Sequence, residues 1–266
     1  MRGGLLAASM ALVLLPVQAN AGEVWARIPA GAFTSALRYA DVPGQTQMEA
    51  FELMRTPVTN AQFKAFIDQH PEWRADRVPR AYAESPRYLA QFAPGAAPEH
   101  QRPQQPVTGV SWFAAQAYCQ AHGARLPTWN EWEYVAAADA TRRDARTDPA
   151  WRERILGWYG KPSTQPLAEV GRDPPNAYGV QDLHGLVWEW VEDIAALLVV
   201  ADKRDPGSGN ELKFCGGGAL NLRDPTNYVV SMRLALLSSL QPADATANLG
   251  FRCARSIPSD APEKPP

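Results

Sequence analysis

The stretch that decides how this chain folds is Pro175-Asn176-Ala177-Tyr178-Gly179-Val180-Gln181-Asp182-Leu183-His184-Gly185-Leu186-Val187-Trp188-Glu189-Trp190. It is dense in Gly, Asp, Trp and Glu, a composition of tight turns pinned by aromatic anchors. Asp182 and Glu189 flank a glycine-containing turn, and hard carboxylate oxygens beside backbone carbonyls suit calcium. The same two carboxylates also suit capping the turn or pairing with arginines. His184 lies inside the turn. It is one of only four histidines, with His70, His100 and His122, and they lack the spacing of a ligand set, so it reads as a polar turn residue. Trp188 and Trp190 stand one strand-step apart and project to the same face of an extended segment, the usual pattern of core aromatics.

Outward from this turn, local signals mark the neighbouring elements. Val24 to Phe33 reads as an opening strand interrupted by a Pro-Ala-Gly-Ala turn, and Phe51 to Arg55 as another short strand. Thr59 and Gln62 form a capping box for a helix, with Val58 and Phe63 at the hydrophobic-staple positions. Residues 70–106 show no periodicity and read as a surface-wrapping loop. A second helix runs from a Ser111 cap to Gly123, with Ala114, Ala117, Tyr118 and Ala121 as its apolar face. A third begins at Thr128, boxed by Glu131. Residues 139–175, charged and proline-rich, are expected to be loop. Phe214 to Asn221 and Leu249 to Ala254 are expected strands. No internal repeat or linker divides the chain, so one loop-rich domain of helices and strands is expected over residues 22–255.

Residues 1–21 have the form of a secretory signal: Arg2, an apolar run from Leu5 to Val17, and the small-x-small site Ala19-Asn20-Ala21. That run is short for a bilayer span, and no later segment is long and apolar enough to be one. Cleavage would leave a periplasmic protein starting near Gly22, ending in a proline-rich disordered tail over residues 256–266. The formal net charge of −2 gives no electrostatic reason to expect nucleic acid or an anionic membrane as partner. With 9 Trp and 24 Pro, the composition favours aromatic anchors over long regular elements. In an exported protein the three cysteines, Cys119, Cys215 and Cys253, allow one disulfide and one free thiol, in any of three pairings.

Four segments in this order resemble the formylglycine-generating, or sulfatase-modifying factor, superfamily. They are Met54 to Phe63; Pro106-Val107 through Ser111-Trp112 and Arg125-Leu126-Pro127-Thr128 to Tyr134; Pro175 to Trp190; and Gly216-Gly217-Gly218 with Asn248-Leu249-Gly250-Phe251-Arg252-Cys253. The resemblance implies a loop-rich α/β (α+β) fold related to C-type lectins. It also implies a structural calcium held by Asp182 and Glu189 with the backbone oxygens of Gly185 and Val187, although Leu186 replaces the asparagine usual in that turn. Ligands for the family's other calcium site are not found between Ile155 and Arg172. The family joins the positions of Cys119 and Cys253 by a disulfide, which leaves Cys215 as the free thiol. A tryptophan matching Trp188 lies at the family's substrate groove, and Asn221, Arg223 and Asn248 match further groove positions.

Members that make formylglycine bind copper(I) through two cysteines, soft ligands suited to that ion. Here Asn221 stands at the first of those positions, Gly218 replaces the neighbouring serine, and no cysteine occurs between Gly216 and Arg252. The family's copper(I) site is therefore not present and no redox metal is identified. The resemblance then implies a divergent periplasmic oxidase or maturation factor acting on a peptide-like substrate or partner protein, like members associated with pyoverdine maturation or nitrite reductase assembly. The alternative is a non-catalytic binding module on the same scaffold.

Overall fold

A computed structural model describes residues 24–36, 45–97, 102–160, 166–194 and 228–257. The expected signal segment, the Phe214–Asn221 strand, Cys215, Asn221, Arg223 and nearly all of the C-terminal tail lie outside them.

The opening segment breaks at Pro29-Ala30 into β1 (Trp25–Ile28) and β2 (Gly31–Phe33). β2 pairs antiparallel with β3 (Thr46–Met48), and β4 (Phe51–Met54) follows at once. β1 lies antiparallel to β4, which in turn pairs with the last strand. Side chains on these strands alternate between faces, so Ala26 and Ile28 of β1 and Phe51 and Leu53 of β4 all enter the core. Gly31 lets Tyr134 pack close to β2: a Cβ there would lie 2.4 Å from the Tyr134 hydroxyl oxygen, so that ring would have to shift.

Helix α1 (Asn60–Gln69) starts at the expected capping box, with the Thr59 hydroxyl accepting from the Gln62 amide and the Gln62 side chain accepting from the Thr59 amide. Val58 and Phe63 are wholly buried, as a hydrophobic staple requires. Two single 3₁₀ turns, Pro71–Trp73 and Ala90–Phe92, interrupt the 70–106 wrap. Helix α2 (Trp112–Ala121) is capped by Ser111 and closed by Gly123 at φ +64°. Its inward face is Ala114, Ala115, Tyr118 and Cys119, so the expected face is rotated: Ala121 is exposed and Ala117 only half-buried. Helix α3 (Trp129–Ala136) carries the second capping box, and the Arg125 guanidinium grips Glu131 through two 2.6 Å bonds. The buried Glu133 carboxylate of α3 accepts from the Ser35 hydroxyl and the Ala36 amide, both at 2.7 Å, and so ties the opening hairpin to this helix.

Two helices depart from the sequence expectation. Residues 139–175 are not all loop: α4 (Pro149–Tyr159) starts on an Asp148 cap with proline at its first position. It buries Trp151 and Ile155 with Ala145 in a small satellite cluster. Helix α5 (Tyr228–Ser238) supplies Leu234 and Leu237 to the main core. The expected closing strand is split into β6 (Leu249–Gly250) and β7 (Ala254–Ser256), because Phe251, Arg252 and Cys253 turn their side chains into buried contacts between them. β7 completes the three-stranded sheet on β4, and β6 pairs in parallel with β5 (Trp188–Glu189). No helix among the described residues is long and apolar enough to cross a membrane.

Cys119 of α2 is bonded to Cys253, immediately before β7, across 134 residues of sequence. A loop of that length, closed in the unfolded chain, stabilises the native state by about 5 kcal/mol in the chain-entropy model. Reduction, or replacement of both cysteines by serine, is therefore expected to lower the thermal midpoint by ten degrees or more in scanning calorimetry. An unchanged midpoint would show that the bridge adds no stability.

Candidate functional site

The Pro175–Trp190 segment enters its turn through two backbone conformations that most side chains avoid. Asp182 has φ +62° and Gly185 φ +107°. Asp182 tolerates the left-handed region because its short carboxylate bonds locally, here accepting the Gly171 amide at 2.6 Å. Burial raises its pKa, opposed by that hydrogen bond and by Arg252. The chain then straightens as β5. The Trp188 amide donates to the Asn248 carbonyl at 2.9 Å and the Trp190 amide to the Gly250 carbonyl at 3.0 Å. Gly250 admits nothing larger, since a Cβ would sit 2.5 Å from the Val107 carbonyl oxygen.

Glu189 and Arg252, both 0% exposed, meet at the centre of this arrangement. Arg252 Nη2 donates to Glu189 Oε1 at 2.8 Å and its Nε to Oε2 at 2.9 Å. The Trp132 indole adds a third donor to Oε2 at 2.8 Å. The rest of the guanidinium is used as well: Nη1 donates to the carbonyls of Met54 and Arg55, and Nη2 to that of Gln181. This geometry does not fit the expected calcium set of Asp182, Gly185, Val187 and Glu189. Both Glu189 oxygens already accept from N–H groups, and a dication would have to displace the guanidinium. Arginine pairing, the alternative that the residue types left open, is what the fold adopts. Among the described residues no three His, Cys, Asp or Glu side chains are gathered to hold a metal ion.

Trp188 and Trp190 have separate fates despite their spacing. Trp190 is wholly buried and its indole donates to the Val110 carbonyl at 2.9 Å. Trp188 is half-buried, against the C-terminal end of α4, with ring centroids 4.9 Å from Tyr159 and 6.0 Å from Trp158. Asn248 is drawn to the same edge by the β5–β6 pairing, and its side-chain oxygen accepts from the Thr246 hydroxyl. Two of the four groove candidates thus lie together, and the other two, Asn221 and Arg223, fall outside the described residues. Trp158 and Tyr159 were not expected here, and the Asp148-Pro149 helix start is the signal that leads to them.

Beside this aromatic edge is a cavity of about 720 Å³, lined by Arg154, Trp158, Asp173, Asp182, His184 and Gly185 among others. His184 Nε2 lies 2.9 Å from the Ala136 carbonyl, which can only accept, so the proton is on Nε2 and Nδ1 presents its lone pair. Nδ1 is closed off from solvent and has no hydrogen-bond partner among the described residues. Part of the ring edge is open, but Trp132, Trp151 and Tyr159 surround it with centroids 5.5, 5.8 and 6.5 Å away. Burial therefore brings the His184 pKa down to about 4, and the nearby arginines Arg233, Arg154 and Arg252 push it the same way.

This depression has a definite sign. As pH falls below about 6.5, the unfolded chain takes up a proton that folded His184 refuses until about pH 4. Its contribution to stability is full above pH 6.5, is lost progressively toward pH 4, and amounts to about 3 kcal/mol at most. The difference in urea-unfolding free energy between wild type and His184→Gln is expected to shrink or reverse between pH 7 and pH 4.5. Parallel pH profiles for the two proteins would contradict this account of the ring.

Comparison with known proteins follows the same lines. The family described as sulfatase-modifying factor enzyme 1-like domain matches residues 14–257. The formylglycine-generating enzyme of Streptomyces coelicolor is 30% identical, over 86% of this chain and 88% of that protein. The hercynine oxygenase of Mycolicibacterium smegmatis is 34% identical, over 53% of this chain and 36% of that protein. A solved structure of PvdO from Pseudomonas aeruginosa is 20% identical, covers 88% of this chain and 94% of its own, and superposes with a TM-score of 0.49. The match along nearly the whole chain, with the identity to a relative covered almost end to end, places this protein in the sulfatase-modifying factor enzyme 1-like domain family.

Proposed function

We propose that this protein is an exported member of its family that binds a peptide-like substrate or partner protein along the Trp188–Asn248 edge. Its role is oxidative maturation other than formylglycine formation. The observation that carries this reading is the residue set at the family's reactive segment. Asn221 and Gly218 stand where formylglycine chemistry needs a cysteine and a serine. Two of the three cysteines in the chain are joined as Cys119–Cys253. Cys215 alone is left, and one thiolate is a poor copper(I) site. No step is routed through copper here. Relatives named for formylglycine generation and for hercynine oxygenation indicate oxidative chemistry on this scaffold.

The half-buried rings of Trp158, Tyr159 and Trp188 form a wall suited to an extended peptide. Such rings bury much apolar area while losing few rotamers on binding. The form of residues 1–21 supports export, and so does the disulfide, since such bonds persist in oxidising compartments.

The test combines binding and chemistry. A peptide carrying a cysteine in a sulfatase-type motif is expected to emerge without an aldehyde by mass spectrometry. Peptide ligands of the protein are expected to quench its tryptophan fluorescence saturably, with affinity at least tenfold weaker in Trp188→Ala. Aldehyde formation on the cysteine, or binding indifferent to Trp188→Ala, would overturn the reading. Saturable binding with no oxygen uptake would leave a binding module on the same edge in place of an oxidase.

A further inference from the structure

Another cavity, of about 350 Å³, opens between the start of α1, the 87–97 part of the wrap and the 105–109 segment. Its volume is at the lower end of those that take small ligands. Ala247 belongs to its wall and is the neighbour of Asn248, which lies on the proposed binding edge. Small apolar side chains make up much of the rest, and the polar side chains of the described wall are Asn60, Arg87, Gln91, Gln105 and Thr108. Gln105 is only 3% exposed. Its side-chain nitrogen donates to the Leu167 carbonyl at 2.6 Å, and that of Gln91 to the Thr108 carbonyl at 2.8 Å. The Asn60 side-chain nitrogen is likewise given to the Arg102 carbonyl at 3.1 Å. A main-chain carbonyl can only accept, so these bonds fix which branch of each amide is nitrogen and which is oxygen.

The chemistry of the cavity follows from those bonds. The Gln91 and Gln105 side-chain oxygens accept from no group among the described residues, and both side chains line the space. Arg87, exposed and without an ion pair among the described residues, is the one charged side chain of the described wall. The set is two fixed acceptors, one cationic donor and the Thr108 hydroxyl, which can do either. An ammonium group would be repelled by Arg87, and a carboxylate would meet the two amide oxygens. A hydrocarbon would strip water from all of them and return no hydrogen bond. A primary carboxamide matches the set, with N–H groups for the two oxygens and a carbonyl for the guanidinium. The wall that carries Gln91 is also held in place under strain. Leu89 takes φ +49°, an outlier for a bulky residue, just before the 3₁₀ turn Ala90–Phe92. Its amide donates to the Gly109 carbonyl at 2.7 Å, and the Gly109 amide to the Thr246 carbonyl at 2.9 Å, which ties the turn to the segment leading into Asn248.

We infer that this cavity receives a primary carboxamide of the bound ligand, a glutamine or asparagine side chain of the peptide, with its nitrogen on the Gln91 and Gln105 oxygens and its oxygen on Arg87. This rests on the reading of the Trp188–Asn248 edge as the binding site and specifies the class of ligand that the edge takes.

The test uses the full-length protein and calorimetric titration with five tripeptides. Each is Ala-Xaa-Ala blocked by acetyl and N-methylamide groups, so that the only primary carboxamide is the one in the middle side chain, and Xaa is Gln, Asn, Glu, Lys or Met. At least one of the two carboxamide peptides is expected to bind about tenfold or more tighter than the Glu, Lys and Met peptides, the scale of hydrogen bonds left unmade on burial. That preference should fall at least about threefold in Gln91→Met and in Arg87→Leu, each of which removes one hydrogen-bonding group. Arg87 is exposed, so its replacement leaves the core undisturbed. Equal or tighter binding of the Glu, Lys or Met peptide, or a preference unchanged in either variant, overturns the inference, and the first comparison requires no variant. Binding that depends on Trp188 but ignores the middle side chain would sink only this inference. A carboxamide preference that survives Trp188→Ala with affinity unchanged would sink the binding-edge reading and leave the cavity. Absence of saturable binding by all five at tens of millimolar would overturn both.

Discussion

The buried pair of Glu189 and Arg252 is the constraint around which the rest is arranged. Each of its polar atoms reaches a different part of the chain. Through Arg252 it holds the end of β4 at Met54 and Arg55 and the turn at Gln181. Through Glu189 it holds α3 by way of the Trp132 indole, while the Glu189 carbonyl receives α5 through Arg233. A domain with strands of two to four residues gains little order from its ladders. A shared polar centre with every group satisfied supplies the register that such short strands leave open.

That centre also sets the character of the candidate site. With Glu189 paired to arginine, the Asp182–Glu189 turn acts as a bracket for β5 rather than as a cation cage. β5 in turn presents Trp188 to the end of α4 and brings Asn248 alongside. The edge is aromatic and half-exposed on its outer side, while Arg233 lies buried against the Trp132 ring. His184, held neutral, closes the adjoining cavity without adding charge. Under the proposed function this arrangement recognises and orients a ligand. The residues that would supply redox chemistry in formylglycine-generating relatives are replaced in the sequence, which is why the proposed role departs from theirs.

Much of this was legible in the sequence where the physics is local. The capping boxes at Thr59 and Thr128 name their own partners three residues away, and both formed. The resemblance pointed to the Cys119–Cys253 bridge, and the bond is present. Helix α4 was hidden because its charged surface obscures the periodicity of Trp151 and Ile155, although Asp148-Pro149 marked its start. Trp188 and Trp190 looked equivalent because spacing alone cannot show that Trp190, two residues along, meets Val110 while Trp188 meets the end of α4. The partner of Glu189 was unreadable for a similar reason: Arg252 is 63 residues away, and a carboxylate beside a glycine turn looks the same whether a metal or a guanidinium meets it.

The central claim, that Glu189 is held by Arg252 as an ion pair, is tested most directly by equilibrium urea unfolding. Wild type and Glu189→Gln would be compared in chelator and in excess calcium. Breaking one side of a buried pair leaves an uncompensated charge and costs about 3 to 5 kcal/mol, so the variant is predicted to lose that much in both conditions while wild type is indifferent to calcium. A wild type that gains stability on adding calcium, with the gain absent in Glu189→Gln and the two proteins equal in chelator, would contradict the account and return Glu189 to a metal.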